Sequence, residues 1–244
     1  LTATTTSTGW SGSWEVMTKP VSGPRPLTPQ VLIEAYSHGI FPMAKARDSD
    51  EIYRVHPQMR GVLPLDAFHV PRSLRNAVRR KAFQIRCDTA CERVIRACAE
   101  PRQDDQETWI NDDVIHVFTE LHRLGYVHSV EAWRDERLVG GLYGMALGGA
   151  FFGESMFSAA TDASKVALVH LVARLRLGGF RLLDVQFVTE HLRRFGTVEI
   201  PAFAYHRLLA AALPVNAVFY SELGEAEEAS ALATVFSQSM TQTS

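Results

Sequence analysis

HSVEAWRDERLVGGLYGMALGGAFFGESMFS, residues 128–158, holds three extended runs broken at two points. HSVEAWR, RLVGGLYGMAL and AFFGESMFS carry aromatic and aliphatic residues, while Asp135-Glu136 and Gly148-Gly149 stand where a chain reverses. The stretch therefore predicts an antiparallel meander. Residues 162–177 follow as a helix stopped by Gly178 and Gly179, and FRLLDVQFV, residues 180–188, reads as one more strand. Two carboxylates stand out against apolar neighbours: Glu154 in the third run and Asp184 in the last strand.

A strand period of two places Leu182, Asp184, Gln186 and Val188 on one face and Leu183, Val185 and Phe187 on the other. A carboxylate and an amide side by side are costly to bury without partners, which favours a pocket or wet cleft. An Asp bonded to helix-terminal amides is the purely structural alternative. The same alternation sets Ala150, Phe152, Glu154 and Met156 against Phe151, Gly153, Ser155 and Phe157, and Gly153 is a candidate bulge that re-aims Glu154. An acid at the rim of an apolar pocket suits a cationic group such as an α-ammonium.

The chain of 244 residues is 46% hydrophobic with a formal net charge of −2. Those values allow a sizeable core and give no global attraction to nucleic acid, so a nucleic-acid partner would need a local basic patch. Cys87, Cys91 and Cys98 fall on roughly one face of an expected helix and read as reduced core thiols, since no ligands stand at zinc spacing. The N-terminal stretch has neither a basic nor an apolar leader region, and Val139 to Gly153 is too short and glycine-rich to span a bilayer as a helix. The expectations are a cytoplasmic chain with no membrane anchor, no metal and no cofactor.

Residues 1–26 are expected to form a disordered tail, 27–66 a small N-terminal lobe, 67–222 the core and 223–244 a C-terminal tail. Thr28 and Pro29 open a short helix closed by Gly39, Asp88 is the expected cap of a helix over TACERVIRACAE, and Asn111 caps another over DDVIHVFTELHRLGY. The fold class is α+β: a meander, a helix and a further strand match the order of an N-acetyltransferase-like (GNAT-like) mixed-sheet core. Such folds splay a pair of neighbouring strands and place a ligand in the wedge.

Several blocks together are more specific than any of these patterns. TWI, GYVHSVEAWRDERLVGGLYGMALGGAFFGESMFS, DASKVAL and LLDVQFVTEHLRRFGTVEIP, with GIFPM earlier, resemble the leucyl/phenylalanyl-tRNA–protein transferases in order from about residue 28 to 219. The resemblance implies a cytoplasmic enzyme that moves Leu or Phe from aminoacyl-tRNA to proteins bearing an N-terminal Arg or Lys, marking them for degradation by the N-end rule. Leu-tRNA, Phe-tRNA and those proteins are the implied partners, and a monomer is expected.

The resemblance also implies residue roles. Asp184 and Gln186 correspond to positions associated with catalysis, Glu154 to one at the aminoacyl end, and Trp109 to a Trp that stacks on the terminal adenine, with a core Trp as the alternative. Phe151, Met156, Phe157 and Leu175 are the candidate walls of a Leu/Phe slot; apolar fit discriminates only weakly, so Met is a further candidate substrate. Arg72, Arg75, Arg79, Arg80 and Lys81 supply the basic patch for tRNA, unless they form only a solvated face. After GIFP this chain has Met43 where many relatives are aromatic-rich, so contacts from this lobe are not carried over. The competing readings are an acetyl-CoA-dependent N-acetyltransferase, argued against by the glycine-free turn SAATDAS, and a tRNA-binding module without chemistry.

Overall fold

The computed structural model describes residues 17–18, 27–47, 49, 51–101 and 108–241. The expected N-terminal tail lies outside the described residues except for β1 (Met17–Thr18). Thr28 caps α1 (Pro29–Ser37) as predicted, its hydroxyl accepting from Val31 N, and Gly39 leaves the helix with φ +73°. β2 (Phe41–Ala44) and β3 (Ile52–Val55) join β1 in a three-stranded sheet of order β1-β3-β2.

The next strand departs from the expected boundary. β4 (Met59–Val62), assigned by sequence to the small lobe, is a strand of the large sheet, pairing with β9 (Leu182–Gln186) on one side and β10 (Val198–Pro201) on the other. Between β4 and β9 come α2 (Arg72–Arg79), β5 (Gln84–Cys87), α3 (Cys91–Ala99), α4 (Asp112–Arg123), β6 (Val127–Arg134), β7 (Arg137–Leu147), β8 (Ala150–Ser158) and α5 (Ala163–Leu177). After β9 follow α6 (Glu190–Arg193), then β10, α7 (Ala202–Ala212) and α8 (Glu225–Thr241).

The predicted meander is β6, β7 and β8, all antiparallel, turning at Asp135 and Glu136 with φ of 50° and 54°. Among the described residues the large sheet runs β10-β4-β9-β8-β7-β6-β5, and β8–β9 is its one parallel pair. One apolar cluster lies on the face covered by α2, α5 and α8; another lies on the opposite face under α1, α3, α4 and α7. The chain is thus a mixed α/β fold, with helices on both faces of a mixed sheet.

Three local expectations are corrected. The segment 223–244 is no tail through residue 241: α8 buries Ala231, Val235 and Phe236 against α5, and Glu228 accepts from Arg174 Nη2 at 3.1 Å and bonds His170 Nδ1 at 3.2 Å. Asp88 does not cap α3. It adopts φ +59° and accepts from Ser129 N, while the buried Glu131 of β6 accepts from Ala90 N at 2.7 Å and serves the helix N-terminus instead. The cysteines are free and buried as expected, but Cys87 ends β5 and packs on the opposite side of the sheet from Cys91 and Cys98 of α3.

Candidate active site

Pairing between β8 and β9 covers three residue pairs and ends at Phe152↔Asp184. Past that point β8 continues along β7 to Ser158, while β9 runs along β4 to Gln186. The polar residues singled out from sequence stand where the two strands diverge.

Glu154 is re-aimed by a bulge, as Gly153 suggests. Tyr143 pairs with Ser155 and Gly144 with Gly153, leaving Glu154 as the extra residue. A Cβ on Gly144 would lie 2.3 Å from Phe152 O, so this close approach requires glycine. The bulge also breaks the predicted alternation. Phe152 and Phe157 pack on the cluster beneath α3 and α4, whereas Met156 packs with Phe151 and Leu175 on the α5 side.

Glu154 Oε1 accepts from Tyr36 Oη at 2.8 Å and from Gln186 Nε2 at 3.2 Å. Its Oε2 is buried and has no hydrogen-bond partner among the described residues, and the hydroxyl of the fully buried Tyr143 is likewise unpartnered. Burial pushes the Glu154 carboxyl up to about 8, with the Tyr36 and Gln186 hydrogen bonds opposing and the Asp184 charge adding to the rise.

Asp184, fully buried, has its oxygens filled. Oδ1 accepts from Arg60 Nε at 3.0 Å and Gln186 N at 2.7 Å; Oδ2 accepts from Arg60 Nη2 at 2.7 Å, Arg60 Nε at 3.0 Å and Tyr205 Oη at 2.7 Å. Arg60 is 1% exposed. Its guanidinium lies 4.5 Å from the Phe41 ring centroid and 4.6 Å from that of Tyr205, and Nη1 donates to Gly39 O at 3.2 Å. Burial opposes the Arg60 charge, but Asp184 together with Tyr205 and Tyr36 overcomes it and the guanidinium is held above its ordinary range.

Gln186 joins the two carboxylates. Its backbone N–H binds Asp184 and its side chain binds Glu154, with φ at +62°. That left-handed turn departs from strict strand alternation and puts both Gln186 and Phe187 toward the Tyr36 side. Sequence reasoning missed Tyr36, Arg60 and Tyr205, because each comes from an element other than β8 and β9, and Arg60 lies in the mixed polar stretch HPQMRG, which singles out no one residue.

The remaining candidates are divided by the sheet. Trp109 is half-buried two residues before Asn111, which caps α4 by accepting from Val114 N at 2.9 Å, and it packs on the same cluster as Phe152 and Phe157. Phe151 and Leu175 are completely buried on the α5 face. Among the basic residues, Arg72, Arg79, Arg80 and Lys81 are exposed on and after α2. Arg75 is half-buried, donates to Val70 O and lies over Phe236. Among the described residues no helix is long and apolar enough to cross a membrane, and no three His, Cys, Asp or Glu side chains converge as metal ligands.

Comparison with known proteins places this geometry in context. Residues 62–210 match the family model described as leucyl/phenylalanyl-tRNA protein transferase, and residues 25–53 match that of its N-terminal domain. A leucyl/phenylalanyl-tRNA–protein transferase of Paramagnetospirillum magneticum is 63% identical over 195 residues, which is 80% of this chain and 93% of the relative. Proteins of the same name from Phenylobacterium zucineum and Rhodospirillum rubrum are each 54% identical, covering 87% and 79% of this chain and 96% and 91% of their own lengths.

Proposed function

The chain belongs to the leucyl/phenylalanyl-tRNA protein transferase family, and from that premise we propose that it transfers Leu or Phe from aminoacyl-tRNA to the N-terminus of acceptor proteins. Acceptors with an N-terminal Arg or Lys, a cytoplasmic setting beside charged tRNA, targeting of the product for degradation and action as a monomer are included in the same reading. The observation that carries it is the divergence of β8 and β9 beside the linked Glu154 and Gln186, in a chain that matches the family over its core.

The acceptor's α-amine nitrogen attacks the ester carbonyl carbon. A C–N bond forms, the C–O bond to the tRNA ribose breaks, and one amine proton ends on the released ribose hydroxyl. An amide replaces an activated ester, so the protein's task is to position the two substrates and to favour the neutral amine. In this reading an ammonium arriving at the unpartnered Glu154 oxygen favours loss of the proton that burial otherwise retains, and Gln186 contacts the amine or the reacting carbonyl. Asp184 works through Gln186, because its own oxygens are already occupied.

Trp109 is assigned to the terminal adenosine. Met156, half-buried on the α5 side, is assigned to the mouth of the side-chain slot and the deeper Phe151 and Leu175 to its support, whereas Phe157 lies on the Trp109 side of the sheet. Exposed Arg72, Arg79, Arg80 and Lys81 are assigned to tRNA phosphates, with Arg75 behind them.

The acetyl-CoA reading has no support, since the family and the relatives are tRNA–protein transferases. Labelled Leu, Phe or Met on tRNA, offered with an Arg-initiated peptide and set beside acetyl-CoA, tests the proposal. Transfer from tRNA is expected; absence of transfer with all three would overturn it.

A further inference from the structure

We infer that Arg60 and Tyr205 are positioning residues for the transfer reaction, acting on the Gln186 amide through Asp184. This deepens the transferase reading and rests on it.

Three observations converge on that assignment. First, a buried carboxylate that accepts from four donors, one of them shared between its two oxygens, has no free position to face a substrate, so its influence on chemistry runs through what it holds. Second, one of the groups it holds is the backbone N–H of Gln186, a non-glycine residue at φ +62°, a conformation that persists only where its surroundings impose it. Third, Arg60 ties that arrangement to the rest of the molecule. It is clasped between the Phe41 and Tyr205 rings, it bonds Gly39 O between α1 and β2, and it forks onto Asp184.

The geometry has a direct consequence for the amide. β4 places Gly61 opposite Gln186, and a Cβ there would lie 2.9 Å from the carbonyl carbon of Phe187, so the backbone at Gln186 is packed against β4 next to Arg60. Arg60 and Tyr205 fix the carboxylate, the carboxylate fixes the left-handed turn, and the turn aims Nε2 at Glu154. Lysine at position 60 keeps the charge but loses the planar fork and the ring contacts. Phenylalanine at position 205 removes a single hydroxyl and leaves the packing intact.

The test is a double-mutant cycle on steady-state transfer of Leu from tRNA to an Arg-initiated peptide, with folding of every variant checked by thermal unfolding. Wild-type transfer is measured first, since its absence would defeat the transferase reading and not this inference. Tyr205→Phe is expected to lower kcat about tenfold, with KM for charged tRNA within about twofold. In a Gln186→Ala background the same change is expected to cost less than about twofold, because the group it acts through is gone. Arg60→Lys is expected to behave alike with a larger loss; if it does not fold, Tyr205→Phe decides alone. Equal losses in both backgrounds, a loss confined to KM, or a lowered unfolding temperature with kcat unchanged would each overturn the assignment and leave Arg60 and Tyr205 as structural residues.

Discussion

The Gln186 amide stands 3.2 Å from Glu154 Oε1, bridging β8 and β9 just beyond their last paired residues. Without that contact the splay would hold two unrelated acids, one saturated by Arg60 and Tyr205 and the other half-satisfied by Tyr36. With it, Gln186 reads both: its backbone is set by a fixed anion, and its side chain by a carboxyl whose second oxygen is unpartnered. A site so arranged divides labour, with Asp184 rigid and Glu154 responsive.

Glu154 should make the protein alkali-sensitive. Its carboxyl is raised from an ordinary value of 4.5 to about 8, first by burial, so the folded chain keeps a proton that the unfolded chain has lost. Stability from this group is therefore full below about pH 4.5 and declines as pH rises through about 8. Glu154→Gln, which cannot ionise, should remove that decline and also lower transfer by at least about tenfold. Thermal unfolding at about pH 6 and about pH 9 checks the first effect. Tyr36→Phe removes a hydrogen bond that favours the ionised form, so it should move the decline to higher pH.

The basic residues should separate into two classes. Changing Arg72 or Arg80 to Gln is expected to weaken charged-tRNA binding and to lower the slope of log affinity against log salt by about 0.7–0.9 for each phosphate no longer neutralised. Arg75 is spent on Val70 O and the Phe236 ring. Arg75→Ala should cost about 1–2 kcal/mol of stability with a smaller change in salt slope. Filter binding across a salt series, with melting curves on the same samples, distinguishes the two.

Much of this was legible in the sequence because its signals are local. Thr28 and Asn111 cap the helices they precede, the Asp135-Glu136 turn sets the meander, and Gly153 marks the bulge. Period-two reasoning succeeded up to Asp184 and failed at two places where the backbone leaves the ideal strand: the bulge sends Met156 to the α5 face, and the positive φ at Gln186 turns Phe187 toward the Tyr36 side. Asp184 was found as a polar residue in an apolar strand, but its partners were not. Arg60 and Tyr205 reach it across 124 and 21 positions of chain, and no local pattern encodes such a meeting. The expected C-terminal tail failed for a related reason: α8 has small residues and weak amphipathicity, and its docking depends on Glu228 meeting His170 and Arg174.

That docking predicts an acid-labile contact. Hydrogen bonding from His170, opposed by burial and aided by the charges of His170 and Arg174, holds the Glu228 carboxyl down at about 2 against an ordinary 4.5. The folded chain thus binds fewer protons there than the unfolded one, so the contribution is complete above pH 4.5 and lost as pH falls through about 2. Glu228→Ala strands Arg174, 3% exposed, beneath α8 without its acceptor and should cost about 2–3 kcal/mol at neutral pH. Chemical denaturation, with protease sensitivity at the loop preceding α8, checks both the size and the place of the loss.

A second acid-sensitive point joins the small sheet's exit to α7. His56 Nε2 and His206 Nε2 lie 2.8 Å apart with rings inclined by 22°, a hydrogen bond that needs one neutral imidazole as acceptor. Burial, then the charges of His56 and Arg60, hold His206 below its ordinary 6.5. The unfolded chain therefore takes up a proton at a pH where the folded chain resists it, so this stabilisation is full above about 6.5 and is lost as pH falls below it, toward the lowered folded value. Because Tyr205 neighbours His206 and bonds Asp184, loss of the histidine pairing should loosen the reacting centre as well as the fold. His206→Gln is expected to flatten the acid limb of stability measured between about pH 5 and about pH 7. An acid limb unchanged by the substitution would place the sensitivity elsewhere.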